Sequence, residues 1–248
     1  MKLSSLYHTV KVKLLSLKKF LLDIIFPPIC VSCQVYLKEN EKNKSICGAC
    51  LAESVVNTTL FCPICRARLP ENKKTCHKKA RYLLGAAASY SNSAVRRLIW
   101  KLKYKKQEAA AAAAAEILFR YINNLEFDFS KFIIVPVPLH RIRLRKRGFN
   151  QTELIADVLG KKINIAVFKN ALIKKRHTPP QVEMPDQDKR KENVKDCFAI
   201  KNLLDVANRN IIILDDVSTS GATLDEIARL LKGSGARKII GLVLAKAR

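Results

Sequence analysis

The chain has 248 residues, 48% of them hydrophobic, which is enough for one large folded domain and a smaller one. Its 46 lysines and arginines outweigh 21 acids to give a formal net charge of +25, with a cationic excess in residues 1–80, 81–160 and 161–248 alike. That distribution excludes a neutral body with a basic tail and favours a polyanionic partner such as nucleic acid, although a lysine-rich composition alone would also produce it.

In residues 1–28 an apolar series from Leu14 to Phe26 is broken by Lys18 and Lys19. It is too short and too charged for a membrane span, and no small-residue cleavage site follows. The pattern predicts a basic amphipathic helix ended by Pro27-Pro28. Such a helix packs on its own protein or lies on an anionic membrane surface. The expected location is cytoplasmic, with the inner face of the membrane as the alternative.

Seven of the eight cysteines follow, between Cys30 and Cys76. Cys30-x2-Cys33 and Cys47-x2-Cys50 have the spacing of a four-cysteine zinc ribbon, each pair offering two thiolates to one tetrahedral ion. A second set, Cys62, Cys65 and Cys76, has Lys79 where a fourth cysteine would stand. His77 is the available substitute, so this set is either a zinc site of three cysteines and one histidine or a lapsed one. Residues 29–80 are therefore expected to form a ribbon module of short hairpins. Cys197 stands apart and reads as a core residue.

Residues 81–248 pattern as an α/β domain. Ser93 to Arg120 reads as largely helical, with an alanine run at 109–115 that favours helix. Strands are expected near 132–137, 211–214 and 238–245, alternating with helices, which implies a parallel sheet. Five of the seven residues from Arg141 to Arg147 are basic, and Arg-Gly-Phe-Asn-Gln follows at 147–151. Arg141, Arg145 and Arg147 are candidates to grip a diphosphate or a nucleic-acid backbone, since the guanidinium fork matches phosphate. Residues 174–196, charged and proline-rich, read as a mobile flap.

The most informative stretch is Ile211 to Thr223: four aliphatics, Asp215-Asp216, then Val-Ser-Thr-Ser-Gly-Ala-Thr before an amphipathic helix. A buried strand, a hydroxyl-rich loop and a helix N-terminus together bind phosphate through converging N–H groups and the helix dipole. Without the lysine of a nucleotide P-loop, the paired acids suit vicinal hydroxyls beside a phosphate, as in ribose 5-phosphate. An Asp-Asp helix cap is the alternative, but two acids, three hydroxyls and a glycine in this order exceed what capping needs.

These thirteen residues resemble the phosphoribosyl-diphosphate (PRPP) motif of type I phosphoribosyltransferases. The resemblance implies that Asp215 and Asp216 hold the ribose hydroxyls and that Thr219, Ser220, Gly221, Ala222 and Thr223 wrap the 5-phosphate. The Pro136-Val137-Pro138 segment with its arginines and Arg-Gly-Phe-Asn-Gln narrows this to a resemblance to the ComF family, competence-associated proteins with such a domain and a double zinc ribbon. Residues 25–65, Tyr90–Tyr104 and Gln181–Phe198 fit the same pattern. The fold expected from it is a type I phosphoribosyltransferase-like parallel sheet with an N-terminal zinc-ribbon module. Lys103 matches a diphosphate-loop position, although Lys105 or Lys106 replaces the small residue that usually follows. Two functions are implied. One is a DNA-uptake factor for natural transformation that binds PRPP and single-stranded DNA and works with a separate translocation motor. The other is an active phosphoribosyltransferase, using PRPP with Mg²⁺ on an unidentified acceptor.

Overall fold

The computed structural model of the protein describes residues 23–25, 27–54, 56–72, 76–104, 108–178 and 186–247. Its strands are β1 (Leu83–Ser89), β2 (Phe132–Pro136), β3 (Leu172–Lys174), β4 (Phe198–Ile200), β5 (Asn210–Ser218) and β6 (Ile239–Lys246). Its α-helices are α1 (Gly48–Glu53), α2 (Ser93–Tyr104), α3 (Glu108–Asn123), α4 (Arg141–Arg147), α5 (Gln151–Ile163), α6 (Gln187–Val194) and α7 (Ala222–Gly233). The main sheet has the order β1-β6-β5-β2 with every neighbour parallel, and β3-β4 form a separate antiparallel pair.

Successive residues of a strand face opposite sides, and β5 uses this to build two cores. Ile212 and Leu214 join α2, α3 and α5 on one face, whereas Ile211 and Ile213 join α7 and the β3-β4 pair on the other. All four are fully buried, each contributing about 1.5–3 kcal/mol of apolar transfer. This is why the strand reads as an unbroken aliphatic run. The alanine run is helical, as its propensity implies, and Ala110, Ala111, Ala113, Ala114 and Ala115 are all buried in α3.

Two elements depart from the sequence patterning. β1, Leu-Leu-Gly-Ala-Ala-Ala-Ser, carries little strand propensity, and burial on both faces makes it a strand. Tyr121 lies over Gly85, where a Cβ would come within 3.3 Å of its ring, and its hydroxyl donates to Thr59 O at 2.7 Å. The basic segment after β2 is the helix α4, capped at its start by His140 and stopped by Gly148 in the left-handed region (φ 79°).

The cysteine-rich module contains the same knuckle twice. Cys30 N donates to Val35 O at 2.8 Å and Cys62 N to Ala67 O at 2.9 Å. The residue after each second cysteine, Gln34 or Arg66, has positive φ (67° and 63°) and donates back to Cys30 O or Cys62 O. The second knuckle also pairs with β1, through Phe61 N to Leu84 O at 2.7 Å and Leu84 N to Phe61 O at 2.9 Å. The first reaches α3 through Lys44, which lies 3.8 Å from the buried Glu116, itself paired with Lys162 at 2.9 Å. Of the N-terminal helix expected over 1–28, only its end is described: residues 23–25 are helical and Asp23 pairs with Lys42 at 2.8 Å. Positions 179–185 of the expected flap lie outside the described residues.

α5 runs so close to the segment after it that a Cβ on Gly160 would sit 2.6 Å from Val167 Cγ2 and 2.8 Å from Ile165 O. Gly160→Ala should destabilise the protein by about 1–3 kcal/mol, seen as a lower denaturation midpoint with an unchanged m-value. An unaltered midpoint would mean that the helix has room to move.

Candidate functional site

β2 ends at Pro136, level with Leu214, while β5 and β6 continue in register to Ser218 and Lys246. Val137 N still donates to Leu214 O at 2.9 Å. Beyond that point one flank of β5 is open, and Asp215 and Asp216 are the first residues past it. The patterning places these acids at the end of their strand. They lie instead inside the ladder to β6 and just past the end of β2, which is what creates a cleft beside them.

Asp216 points to the α2/α5 side and is only 5% exposed. A buried carboxylate needs partners, and two segments supply them: Lys103 Nζ from α2 at 3.3 Å and Gln151 Nε2 from α5 at 3.1 Å. Gln151 Oε1 in turn accepts from Arg147 at 2.6 Å. The motif Arg-Gly-Phe-Asn-Gln thus has an internal division of labour. Gly148 ends α4, and Asn150 caps α5 by accepting from Thr152 N at 3.3 Å. Asn150 Nδ2 and Thr152 Oγ1 both donate to Val137 O, at 3.2 and 2.7 Å, tying α5 to the end of β2. Gln151 is thereby held against Asp216. Burial alone would weaken the Lys103 charge, but the Asp216 and Asp215 carboxylates outweigh it and raise its pKa above the ordinary lysine value.

Asp215 faces the β3-β4 side. Its packed surroundings and the neighbouring Asp216 charge push it up to about 7, against a partial offset from the Asp216 N–H donated at 2.8 Å. Lys174 on β3 faces the same side, its pKa lowered by burial and by Arg143, and donates to Thr178 Oγ1 at 2.9 Å. Arg143 donates to Thr178 O at 3.2 Å. Of the candidate cations, Lys103 and Arg147 are drawn into the cleft, while Arg141 and Arg145 are exposed on α4.

The loop Thr219–Thr223 closes the other end of the cleft. Gly221 has φ 84° and caps α7 with its backbone, a conformation that glycine adopts without strain. The N–H groups of Thr219, Ser220 and Gly221 donate to no acceptor among the described residues, and a small cavity lies against Asp215, Thr219, Gly221 and Thr223. Sequence patterning does not single out Arg66, the residue after Cys65, yet it reaches this loop from the second knuckle. Its guanidinium donates to Ser218 Oγ at 3.3 Å and to Thr219 O at 3.0 Å. In a trans peptide the C=O and N–H point in opposite directions. Holding Thr219 O toward Arg66 therefore turns the Ser220 N–H the other way.

Both cysteine sets converge. The ligand atoms of Cys30, Cys33, Cys47 and Cys50 lie within 4.8 Å of one another, as do those of Cys62, Cys65, Cys76 and His77. Zn–S bonds of about 2.3 Å place tetrahedral sulfurs about 3.8 Å apart, and Cys33 Sγ to Cys47 Sγ is 3.6 Å. His77 Nδ1 stands 3.5 Å from Cys62 Sγ and 3.2 Å from Cys76 Sγ, so adjacency to Cys76 does not keep it from the set. Burial disfavours the Cys30 thiolate, but N–H donors from Cys33, Cys47 and Ser32 more than compensate and bring it to about 6. Both sets fit a structural zinc ion, held by four cysteines in the first knuckle and by three cysteines and a histidine in the second.

Two outcomes follow from this geometry. Purified protein should carry two zinc ions, and Cys76→Ser should lose one of them by elemental analysis; a single ion in the parent protein would leave the second knuckle without metal. Asp215 is held above its unfolded pKa, so it takes up a proton on folding, and its contribution to stability falls as pH rises from about 4 through 7. Asp215→Asn should therefore raise the melting temperature at pH 8 by at least about 2–4 °C, the shift expected per kcal/mol for a chain of this size. It should have a smaller effect at pH 5, and equal shifts at both pH values would contradict this account of Asp215.

The profile of the phosphoribosyl transferase domain matches residues 102–248, more than half of the chain. Competence protein F of Haemophilus influenzae is 30% identical over 156 residues, which cover 60% of this chain and 67% of that protein. DNA utilization protein YhgH of Escherichia coli K12 is 28% identical over 221 residues, covering 86% and 94%. Competence protein ComFC of Bacillus subtilis is 25% identical over 217 residues, covering 84% and 79%. With the paired acids, the loop and both knuckles in one structure, these matches place the chain in the ComF family of competence-associated proteins, built on a phosphoribosyl transferase domain.

Proposed function

We propose that this protein is a DNA-uptake factor of natural transformation that binds PRPP in the cleft past β2 and single-stranded DNA on its basic surface. The relatives named for competence and DNA utilization support the pathway. The observation that carries the ligand is the convergence of Asp216, Gln151, Lys103 and Arg147 beside a loop whose N–H groups have no acceptor among the described residues.

In this reading the ribose lies along the end of β5. Asp215 and Asp216, on opposite faces of the strand, accept from its two hydroxyls. The 5-phosphate meets the N–H groups of Thr219, Ser220 and Gly221, the hydroxyls of Ser220 and Thr223, and the positive end of the α7 dipole. Lys103 and Arg147 face the diphosphate, and Lys103 exchanges its hold on Asp216 for that anion. Mg²⁺ bound together with PRPP supplies further neutralisation of the diphosphate. The DNA backbone is met by the arginines left outside the cleft, Arg141 and Arg145 among them, with a salt-dependent affinity. A separate motor drives translocation, and the protein works on the cytoplasmic side of the membrane. Among the described residues no helix is long and apolar enough to cross a membrane.

A second reading is an active phosphoribosyltransferase with an unidentified acceptor. It is favoured by the intact acid pair and by Lys103 and Arg147 standing where a leaving diphosphate would be held; release of diphosphate over a panel of bases and amines tests it. The uptake reading ranks first because the relatives matched over most of the chain are named for competence and DNA utilization.

Calorimetric titration with PRPP and Mg²⁺ should show one site per chain, tightening as pH rises through about 7 while Asp215 ionises. Each Asp→Ala change should cost tenfold or more, from roughly 1.5–3 kcal/mol per charged hydrogen bond. A strain lacking the gene should lose transformation, and one carrying the doubly substituted protein should stay deficient. No heat with the parent protein, or unchanged DNA uptake on deletion, would overturn the proposal.

A further inference from the structure

α2 presents an unusual outer face. Its sequence, Ser-Ala-Val-Arg-Arg-Leu-Ile-Trp-Lys-Leu-Lys-Tyr, buries Ala94, Val95, Leu98, Ile99 and Leu102 against the core. Arg96, Trp100 and Tyr104 fall at four-residue spacing and form one exposed stripe. Trp100, the chain's single tryptophan, is 51% exposed and Tyr104 is 67% exposed. The two rings are neighbours, with centroids 5.6 Å apart and planes tilted by 41°. A tryptophan is ordinarily largely covered in a folded protein, and here half of its surface, beside an open tyrosine, is presented to solvent.

Charge decides which occupant. The helix has four cations, Arg96, Arg97, Lys101 and Lys103, and no acid between Ser93 and Tyr104. An apolar protein partner would have to strip water from this cationic rim. A polyanion brings its own counter-charges. The stripe also leads somewhere: Lys103, next to Tyr104, lies 3.3 Å from Asp216, whose other partner Gln151 accepts from Arg147 at 2.6 Å. From Arg147 the path continues along α4, which likewise has no acid and exposes Ile142 (51%) and Leu144 (40%) between its arginines. Cations interleaved with exposed rings fit unpaired bases, whose faces stack on aromatics while the backbone follows the charge. A duplex keeps those faces inside.

We infer that Trp100 and Tyr104 are a base-stacking step on a single-strand track that runs along α2, passes the mouth of the cleft and continues onto α4. This rests on the reading that the protein binds single-stranded DNA, and it names where the strand lies. Bases rest on the outer faces of the rings, because a separation of 5.6 Å is too narrow for a base between them.

Because Trp100 is the sole tryptophan, all tryptophan emission reports on this surface. Titration of the full chain with a short oligothymidylate should quench that emission saturably, and added salt should reverse the quenching. By anisotropy of a labelled strand, Trp100→Ala and Tyr104→Ala should each weaken binding roughly tenfold or more, given about 1–3 kcal/mol per stacked base, whereas Trp100→Phe should stay within a few-fold of the parent. Both rings are exposed, so zinc content and melting temperature should be unchanged. If the parent protein binds the strand while its emission is unperturbed and the alanine variants bind equally well, the inference fails and the DNA reading stands. If the parent protein binds no strand at all, both fail. Emission that responds to anionic vesicles but not to the oligonucleotide would make the stripe a membrane contact and overturn the assignment.

Discussion

A carboxylate buried in a protein interior must be neutralised or ligated, and in this protein Asp216 enforces the arrangement of everything around it. The strand that carries it is fixed by Ile211 to Leu214, which fill two cores at once. Once that strand runs past the end of β2, its next side chains have no neighbouring strand on that flank among the described residues. Lys103 arrives from the end of α2 and Gln151 from the start of α5, each held by its own helix packing. Because Gln151 also accepts from Arg147, removal of any one member leaves another buried polar group unsatisfied. The cleft thus has one acid paired and the other, Asp215, raised toward neutrality. An incoming cation or hydroxyl can engage both without rebuilding the sheet.

The cysteine-rich module is bound to this arrangement rather than appended to it. Its second knuckle extends the sheet at β1 and sends Arg66 under the Thr219 carbonyl. Its first knuckle shares a hydrophobic cluster with α2 and α3 and joins the charge group around Glu116. A positive φ at Arg66 is part of the knuckle turn that presents two thiolates to one metal. The same backbone therefore shapes the cysteine set and aims the guanidinium, so a zinc ion held there would support the loop.

Much of this is legible in the residues alone. The strand–acid–loop–helix order at 211–223 stands out because each residue type there has a distinct chemical use. The cysteine spacing likewise announces two knuckles. Other features are hidden for identifiable reasons. β1 is built around Gly-Ala-Ala-Ala, residues that describe a helix or a turn as well as a strand, and only tertiary packing selects among them. Arg66 lies 152 residues from its partner Ser218, beyond any local pattern. Within Arg141–Arg147 composition cannot show which arginines turn inward, since that depends on the phase of α4, itself set by the His140 cap and the Gly148 stop. His77 adjoins Cys76 in the sequence, and it is the loop geometry that turns its Nδ1 toward both Cys62 and Cys76.

The central claim is that the end of β5 holds a ribose phosphate through its acid pair and its main-chain N–H groups. A crystal structure of the full chain soaked with PRPP and Mg²⁺ tests it most directly. Ribose hydroxyls should appear within hydrogen-bond distance of Asp215 and Asp216, with the 5-phosphate seated on the N–H groups of Thr219 to Gly221. Density for the compound elsewhere, with Lys103 and Gln151 still closed on Asp216 and the loop N–H groups turned to water, would contradict it.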